Sequence, residues 1–129
     1  MAVGLNATVA NAILNALCRA TAYTGPAALW VKLHVGDPGA AGTANPAGHT
    51  TRVQATFGSV ASGGAISNTS ALTYTSVTAA EDYTHFSAWD ASTAGAFQFS
   101  GTVTANPVQI GDTFTFAVGD LDVTLPVAA

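Results

Sequence analysis

Leu29-Trp30-Val31-Lys32-Leu33-His34-Val35 decides the fold. Leu29, Val31, Leu33 and Val35 alternate with Trp30, Lys32 and His34, a period of two that predicts a strand with one apolar face. Upstream the period is 3.6. Val9, Ile13 and Leu17 with Ala12, Ala16 and Ala20 form an apolar side, while Thr8, Asn11, Asn15 and Arg19 share another face. That spacing predicts an amphipathic helix over about residues 5–22, lying on a core and ended by Tyr23-Thr24-Gly25-Pro26, because proline cannot continue the hydrogen-bond ladder. Asn6, Asn11 and Asn15 interrupt the apolar run, which argues against a membrane span of about twenty apolar residues. No basic residue precedes the run, as one would in a signal peptide.

Downstream, Gly36-Asp37-Pro38-Gly39 reads as a turn, with two permissive glycines and a proline that fixes φ. A long Ala/Gly/Pro/Thr loop follows to about Thr50, and a loop of that length is usually a functional or interface loop. The remainder reads as β. Expected strands cover about residues 52–57, 65–68, 71–75, 83–90, 97–103, 113–118 and 121–127, with Ser62-Gly63-Gly64 as a turn and Asn106-Pro107 breaking the pattern. The last two form the clearest period-2 pair. About eight short strands at regular spacing predict a mainly β chain, an antiparallel β-sandwich or jelly-roll-like fold, with the helix at its edge or face. A single domain over residues 1–129 is expected, the helix at about 5–22 and the sandwich at about 28–127.

Composition restricts the function. The chain has 129 residues, 49% of them hydrophobic, and only 8% charged against roughly a quarter in ordinary soluble domains. Lys32, Arg19 and Arg52 are its only fixed cations, too few to neutralise a row of phosphates, so direct nucleic-acid binding is not expected. The net charge is −4, on a surface otherwise of Ala, Thr, Ser, Gly and Asn. Such a surface costs little to desolvate, which suits a subunit of a larger assembly. Cys18 is the only cysteine, leaving no intrachain disulfide and no cysteine-based zinc site; on its helix it reads as a small packed hydrophobe.

Sites for chemistry are sparse. His34 and Asp37 could supply two metal ligands, but no third is evident, and His34 reads as a residue of the strand's polar face. His49 reads as solvated in the loop, and His85 as packed beside Trp89. There is no Gly-x-Ser-x-Gly elbow, no phosphate loop, and Glu81 and Asp82 would point to opposite faces of a strand. No catalytic residue, cofactor or metal is expected. Asp37, Asp90, Asp112 and Asp120 border turns and read as turn caps. Trp30, Trp89, Tyr23, Tyr74 and Tyr83 read as core or interface aromatics, with a sugar-stacking platform as the alternative.

Four stretches carry a family resemblance. Leu33-His34-Val35-Gly36-Asp37-Pro38-Gly39 resembles the "LHxGDPG" stretch of small virion proteins of tailed bacteriophages, often labelled tail-fibre or minor tail proteins. Thr51-Arg52-Val53-Gln54-Ala55-Thr56-Phe57 is similar to their "ARQxxxF" segment, with Val53 inserted. Thr84-His85-Phe86-Ser87-Ala88-Trp89-Asp90-Ala91 resembles their "THxGxWDA" strand, with Ser87 for the usual Gly. Residues 111–116 and 119–125 resemble their closing hairpin, and Ala22-Tyr23-Thr24-Gly25-Pro26 their helix end. The resemblance implies a non-catalytic structural subunit on the virion exterior. Its partners would be other phage structural proteins, major capsid protein or tail subunits, and further copies of itself.

A fibre needs a long trimeric shaft and an attachment region, for which this chain has no room. Capsid decoration is therefore the first expectation, a minor tail or tail-fibre protein the second, and a carbohydrate-binding host-attachment module the third. The helix and the loop are the expected contact elements, and Trp30, His34, Asp37, Pro38, Asn45, Pro46, His49 and Trp89 the candidate interface residues.

Overall fold

A computed structural model describes residues 3–59 and 63–128. Ser62 of the expected turn lies outside the described residues, whereas Gly63 and Gly64 both adopt the left-handed conformation (φ +73° and +66°). The elements, in chain order, are β1 (Gly4–Leu5), α1 (Ala7–Arg19), β2 (Leu29–His34), β3 (Val53–Ala55), β4 (Ala65–Ser67), β5 (Leu72–Tyr74), β6 (Glu81–Trp89), β7 (Phe97–Val108), β8 (Phe114–Phe116) and β9 (Asp122–Thr124). The chain is mainly β, a sandwich with one N-terminal helix.

One layer is an antiparallel sheet in the order β1-β7-β6-β2-β3. The other consists of two antiparallel ladders, β4–β9 and β5–β8. The core sits between them. Val31 and Leu33 of β2, Tyr83 and Phe86 of β6, and Ala55 of β3 meet Leu72 and Tyr74 of β5 and Phe114 and Phe116 of β8. The Tyr74 hydroxyl donates across the layers to the Val31 carbonyl (2.7 Å), so its burial leaves no orphaned donor. Burial also raises the phenol's pKa, keeping that donor protonated.

Three sequence expectations change here. The last two strands do not pair with each other: β8 lies on β5 and β9 on β4. Asn68 directs this. Its side-chain carbonyl accepts from the Gly119 and Leu121 N–H groups (both 3.0 Å), and its amide donates to the Ser70 and Ala117 carbonyls (2.9 and 3.0 Å). The turn after β8 is thereby held to the β4–β5 connection. Secondly, β7 runs through Asn106 and Pro107 to Val108. Pro107 is tolerated because β1 pairs with β7 only at Phe99 and Ser100, so this end of β7 is an edge and needs no N–H there.

Thirdly, the helix is shorter and less buried than its pattern suggests. Leu5 pairs with Phe99 in β1, Asn6 caps the helix by accepting from the Thr8 N–H (2.7 Å), and Ala20 ends it in the left-handed conformation (φ 54°). No helical residue is fully buried, and Leu14 and Leu17 are 57% and 79% exposed. Cys18 is exposed as well, because it lies on the outer side with them. Val9, Ala12, Ile13 and Ala16 are half-buried. The apolar arc is thus wider than the surface that covers it.

Candidate functional site

Side chains opposite each other in an antiparallel pair share a face. The register pairs Trp30 with Trp89, Lys32 with Ser87 and His34 with His85, which puts all six on the side of the five-stranded sheet turned away from the core. A β-bulge at Gln98 brings Phe97 opposite Trp89 on that same face, their rings 5.5 Å apart. The loop of residues 36–50 covers part of it. Val35 N–H donates to the Asn45 carbonyl (3.0 Å), Ala47 N–H to the Leu33 carbonyl (3.1 Å), and His34 bridges to Pro46. Gly42 lies over the Phe97 ring so closely that a β-carbon there would come within 2.5 Å of it.

Beneath the loop is a polar chain that sequence spacing does not reveal. His34 Nδ1 is 2.8 Å from the Ala44 carbonyl, His34 Nε2 is 2.7 Å from Ser87 Oγ, and Trp89 Nε1 donates to that same oxygen at 2.7 Å. A carbonyl only accepts, so the proton sits on Nδ1, Nε2 is the acceptor, and the Ser87 hydroxyl donates to it. Each polar atom is satisfied in one direction only: Trp89 to Ser87, Ser87 to His34, His34 to Ala44. Burial lowers the His34 pKa, the largest cause, and the Lys32 and His85 charges push it further down against the Ala44 and Asn45 backbone bonds that raise it.

Serine and histidine at 2.7 Å resemble a nucleophile and its base. Here both are 0% exposed, the serine oxygen already accepts from an indole, and the distal ring nitrogen faces a carbonyl instead of a carboxylate. The arrangement fastens a loop to a sheet. Ser87→Ala is expected to lower stability by about 1–3 kcal/mol, the cost of leaving buried ring nitrogens unpaired, measured by urea unfolding at unchanged m-value.

Two of the three fixed cations, Lys32 and Arg52, lie around this chain. Arg52 lies over the Trp89 ring, 4.4 Å from its centroid, and donates to the Ala91 and Ala94 carbonyls (2.9 and 2.7 Å). Lys32 has its pKa lowered by burial first and by the Arg52 charge second. The aspartates serve turns, as their positions suggest. Asp37 accepts from Gly39 N–H (2.8 Å), Asp90 from Ala96 (2.7 Å), Asp112 from Gln109 (2.8 Å) and Asp120 from Ala117 (3.0 Å).

The eight candidate interface residues divide by exposure. Asn45 and Pro46 are exposed on the loop, and Trp30 and Asp37 are half-buried. His34, Pro38, His49 and Trp89 are buried. His49 is not solvated as its loop position suggested: it is 6% exposed, edge-on to Tyr74 at 6.3 Å, because Glu81 takes the Gly48 and His49 N–H groups and pulls this segment inward. His34 and Asp37 do not join in a metal site, since the imidazole nitrogens face Ala44 and Ser87 and the aspartate caps Gly39. Nor do the five aromatics form a flat sugar-stacking platform. Tyr74 and Tyr83 are in the core, Trp89 lies beneath Arg52, Trp30 is half-buried opposite Trp89, and Tyr23 is exposed elsewhere.

Two further surfaces are open. The outer side of α1 presents Leu14 and Leu17. A cleft of about 580 Å³ between the helix and the sandwich is lined by Leu5, Ile13, Phe99, Val123 and Leu125, with Asp120 and Asp122 beside them. No helix among the described residues is long and apolar enough to cross a membrane.

No curated protein matches the chain significantly. A family model does, over residues 4–124, and its description is podophage GP4 fiber I protein gp80. The match takes in β1, the helix and every strand of both layers, so the chain belongs to that family of phage structural proteins.

Proposed function

We propose that the chain is a fibre subunit of a podophage tail, non-catalytic, acting as one folded unit and working by burying surface on its neighbours. The observation that carries this reading is the family match over residues 4–124, whose description names a fibre protein and favours the tail over decoration of the capsid. The partners are other tail components and further copies of the chain. Contact runs through the outer side of α1, where Leu14 and Leu17 stand exposed on a helix with no charged residue before Arg19. Burying two such leucines on a neighbour contributes about 2–5 kcal/mol, enough to hold a subunit that is repeated in the particle.

Gold-labelled antibody imaging of intact particles, with copy number from gel densitometry, tests this directly. Label at the tail in a few to tens of copies is the expected result. Label spread over the heads at hundreds of copies would replace the reading with capsid decoration, and unlabelled particles would end the virion assignment. Leu17→Glu is expected to abolish incorporation while leaving the melting temperature of the isolated chain within about 2 °C, because the side chain is 79% exposed.

A further inference from the structure

We propose that His34 is an acid-sensitive latch, and that protonation of its Nε2 releases loop residues 36–47 from the sheet. The inference is independent of where the chain sits on a particle. It rests on the direction of the hydrogen bonds. In the neutral imidazole, Nε2 is the acceptor that takes the Ser87 hydroxyl proton, and Nδ1–H is the donor that holds Ala44. A proton on Nε2 turns that acceptor into a donor. Two N–H groups, from His34 and Trp89, then converge on one serine oxygen, and the serine proton loses its acceptor.

The charges that act on His34 are those of Lys32 and His85, and both disfavour a further proton; Asp90 acts on Arg52 and Glu81 takes the Gly48 and His49 N–H groups. On the same strand stands Lys32, on β6 stands His85, and Arg52 lies over Trp89 close enough to act on Lys32. The facing loop carries one carboxylate, Asp37, which caps Gly39. From β7 the facing side chains are Ser100 and Thr102, neither of which titrates. A buried imidazolium beside Lys32 is disfavoured, chiefly by burial, and the least costly relief is to let the loop leave and water enter. The loop can go because one side of it is held by few bonds: Val35 to Asn45, Ala47 to Leu33, and His34 itself. Its departure uncovers Phe97 under Gly42, next to Trp89, and so bares an aromatic strip that is covered at neutral pH.

The sign of the pH dependence follows from the lowered pKa. The latched form binds the proton less readily than the open form, so latching is complete above the ordinary histidine value of 6.5 and is lost as pH falls below it. Across that window the open population rises by about tenfold per pH unit until the latched form itself titrates.

The test uses the whole chain in solution between pH 8 and pH 4. Long-range imidazole NMR reads the tautomer and titration of His34, and amide exchange, corrected for its intrinsic pH dependence, reads the loop. The expected result is an Nδ1–H tautomer at pH 7.5, titration below 6.5, and loss of protection at the Val35 and Ala47 amides, which bond loop to strand, over the same interval, with β6 and β7 amides still protected. An Nε2–H tautomer, titration at or above 6.5, or loop protection that stays constant while His34 titrates would overturn the proposal. With only three histidines in the chain, variants assign the effect. His85→Gln is expected to retain the acid step and His34→Gln to remove it; the reverse pattern would assign the step to His85 and refute the latch.

Discussion

Replacing Asn68 with alanine is expected to cost about 3–5 kcal/mol, measured by urea unfolding followed through tryptophan fluorescence. The side chain is buried, and all four of its bonds go to backbone groups: two carbonyls, of Ser70 and Ala117, and two N–H groups, of Gly119 and Leu121. The Gly119 N–H keeps its bond to the Asn68 main-chain carbonyl (3.0 Å), so three groups are orphaned, each at about 1–3 kcal/mol, reduced here because water reaches part of the turn. Asn68→Asp would keep both acceptors but set a carboxylate against two carbonyl oxygens, so it should fail to restore the wild-type midpoint. A loss under about 1 kcal/mol for Asn68→Ala would mean that the second layer does not depend on this side chain.

Phe116→Ala carries the other large effect, a loss of about 3–5 kcal/mol and a melting temperature lower by about 12–20 °C. The ring packs on Tyr74 of β5 (6.2 Å), on Phe86 of β6 across the layers (6.2 Å) and on Phe114 of its own strand (5.0 Å). Removing it opens a cavity where the two layers meet. Against a total stability of about 5–15 kcal/mol for a domain of this size, that loss leaves a marginal fold. Scanning calorimetry at neutral pH reads it, and a drop of less than about 5 °C would show that the aromatic cluster repacks around the gap.

The alternation in residues 29–35 identifies β2 and the face that Val31 and Leu33 turn to the core, although Val35 stands exposed beyond the strand and His34 on the other face is buried; the Asp residues beside turns announce their caps. Those signals are local, and local geometry enforces them. Strand pairing is not local. The pattern of Phe114 and Phe116 says that one face of β8 is buried, but not that Leu72 and Tyr74 bury it. What holds that pairing is non-local: backbone bonds of Val77 to Asp112 and Gly111, and one asparagine whose amide looks like any other polar loop residue in the chain.

The same limit governs the site. Alternation puts His34 on the second face of its strand, yet its partners are Ser87, 53 positions away, and a loop carbonyl. Ser87 was visible only as a departure from the glycine of the resembling stretch. Its hydroxyl is what joins the histidine to the indole. For the helix, periodicity marks the apolar arc and says nothing of how much of that arc the fold covers, so Leu14, Leu17 and Cys18 read as packed and stand in solvent.

The pairing of Gly4 with Ser100 and Leu5 with Phe99 sets a condition on biosynthesis. β1 has no partner until about a hundred residues have followed it, and at about 5–20 residues per second that is roughly 5–20 s of synthesis. The helix, tethered to β7 through the Asn6 N–H to Gln98 carbonyl bond, waits equally long for its surface. Contacts of such sequence separation also slow folding, since loop closure must precede any gain from pairing. Synthesis must therefore pass β7 before β1 and α1 can dock, and Leu14 and Leu17 are exposed throughout that time.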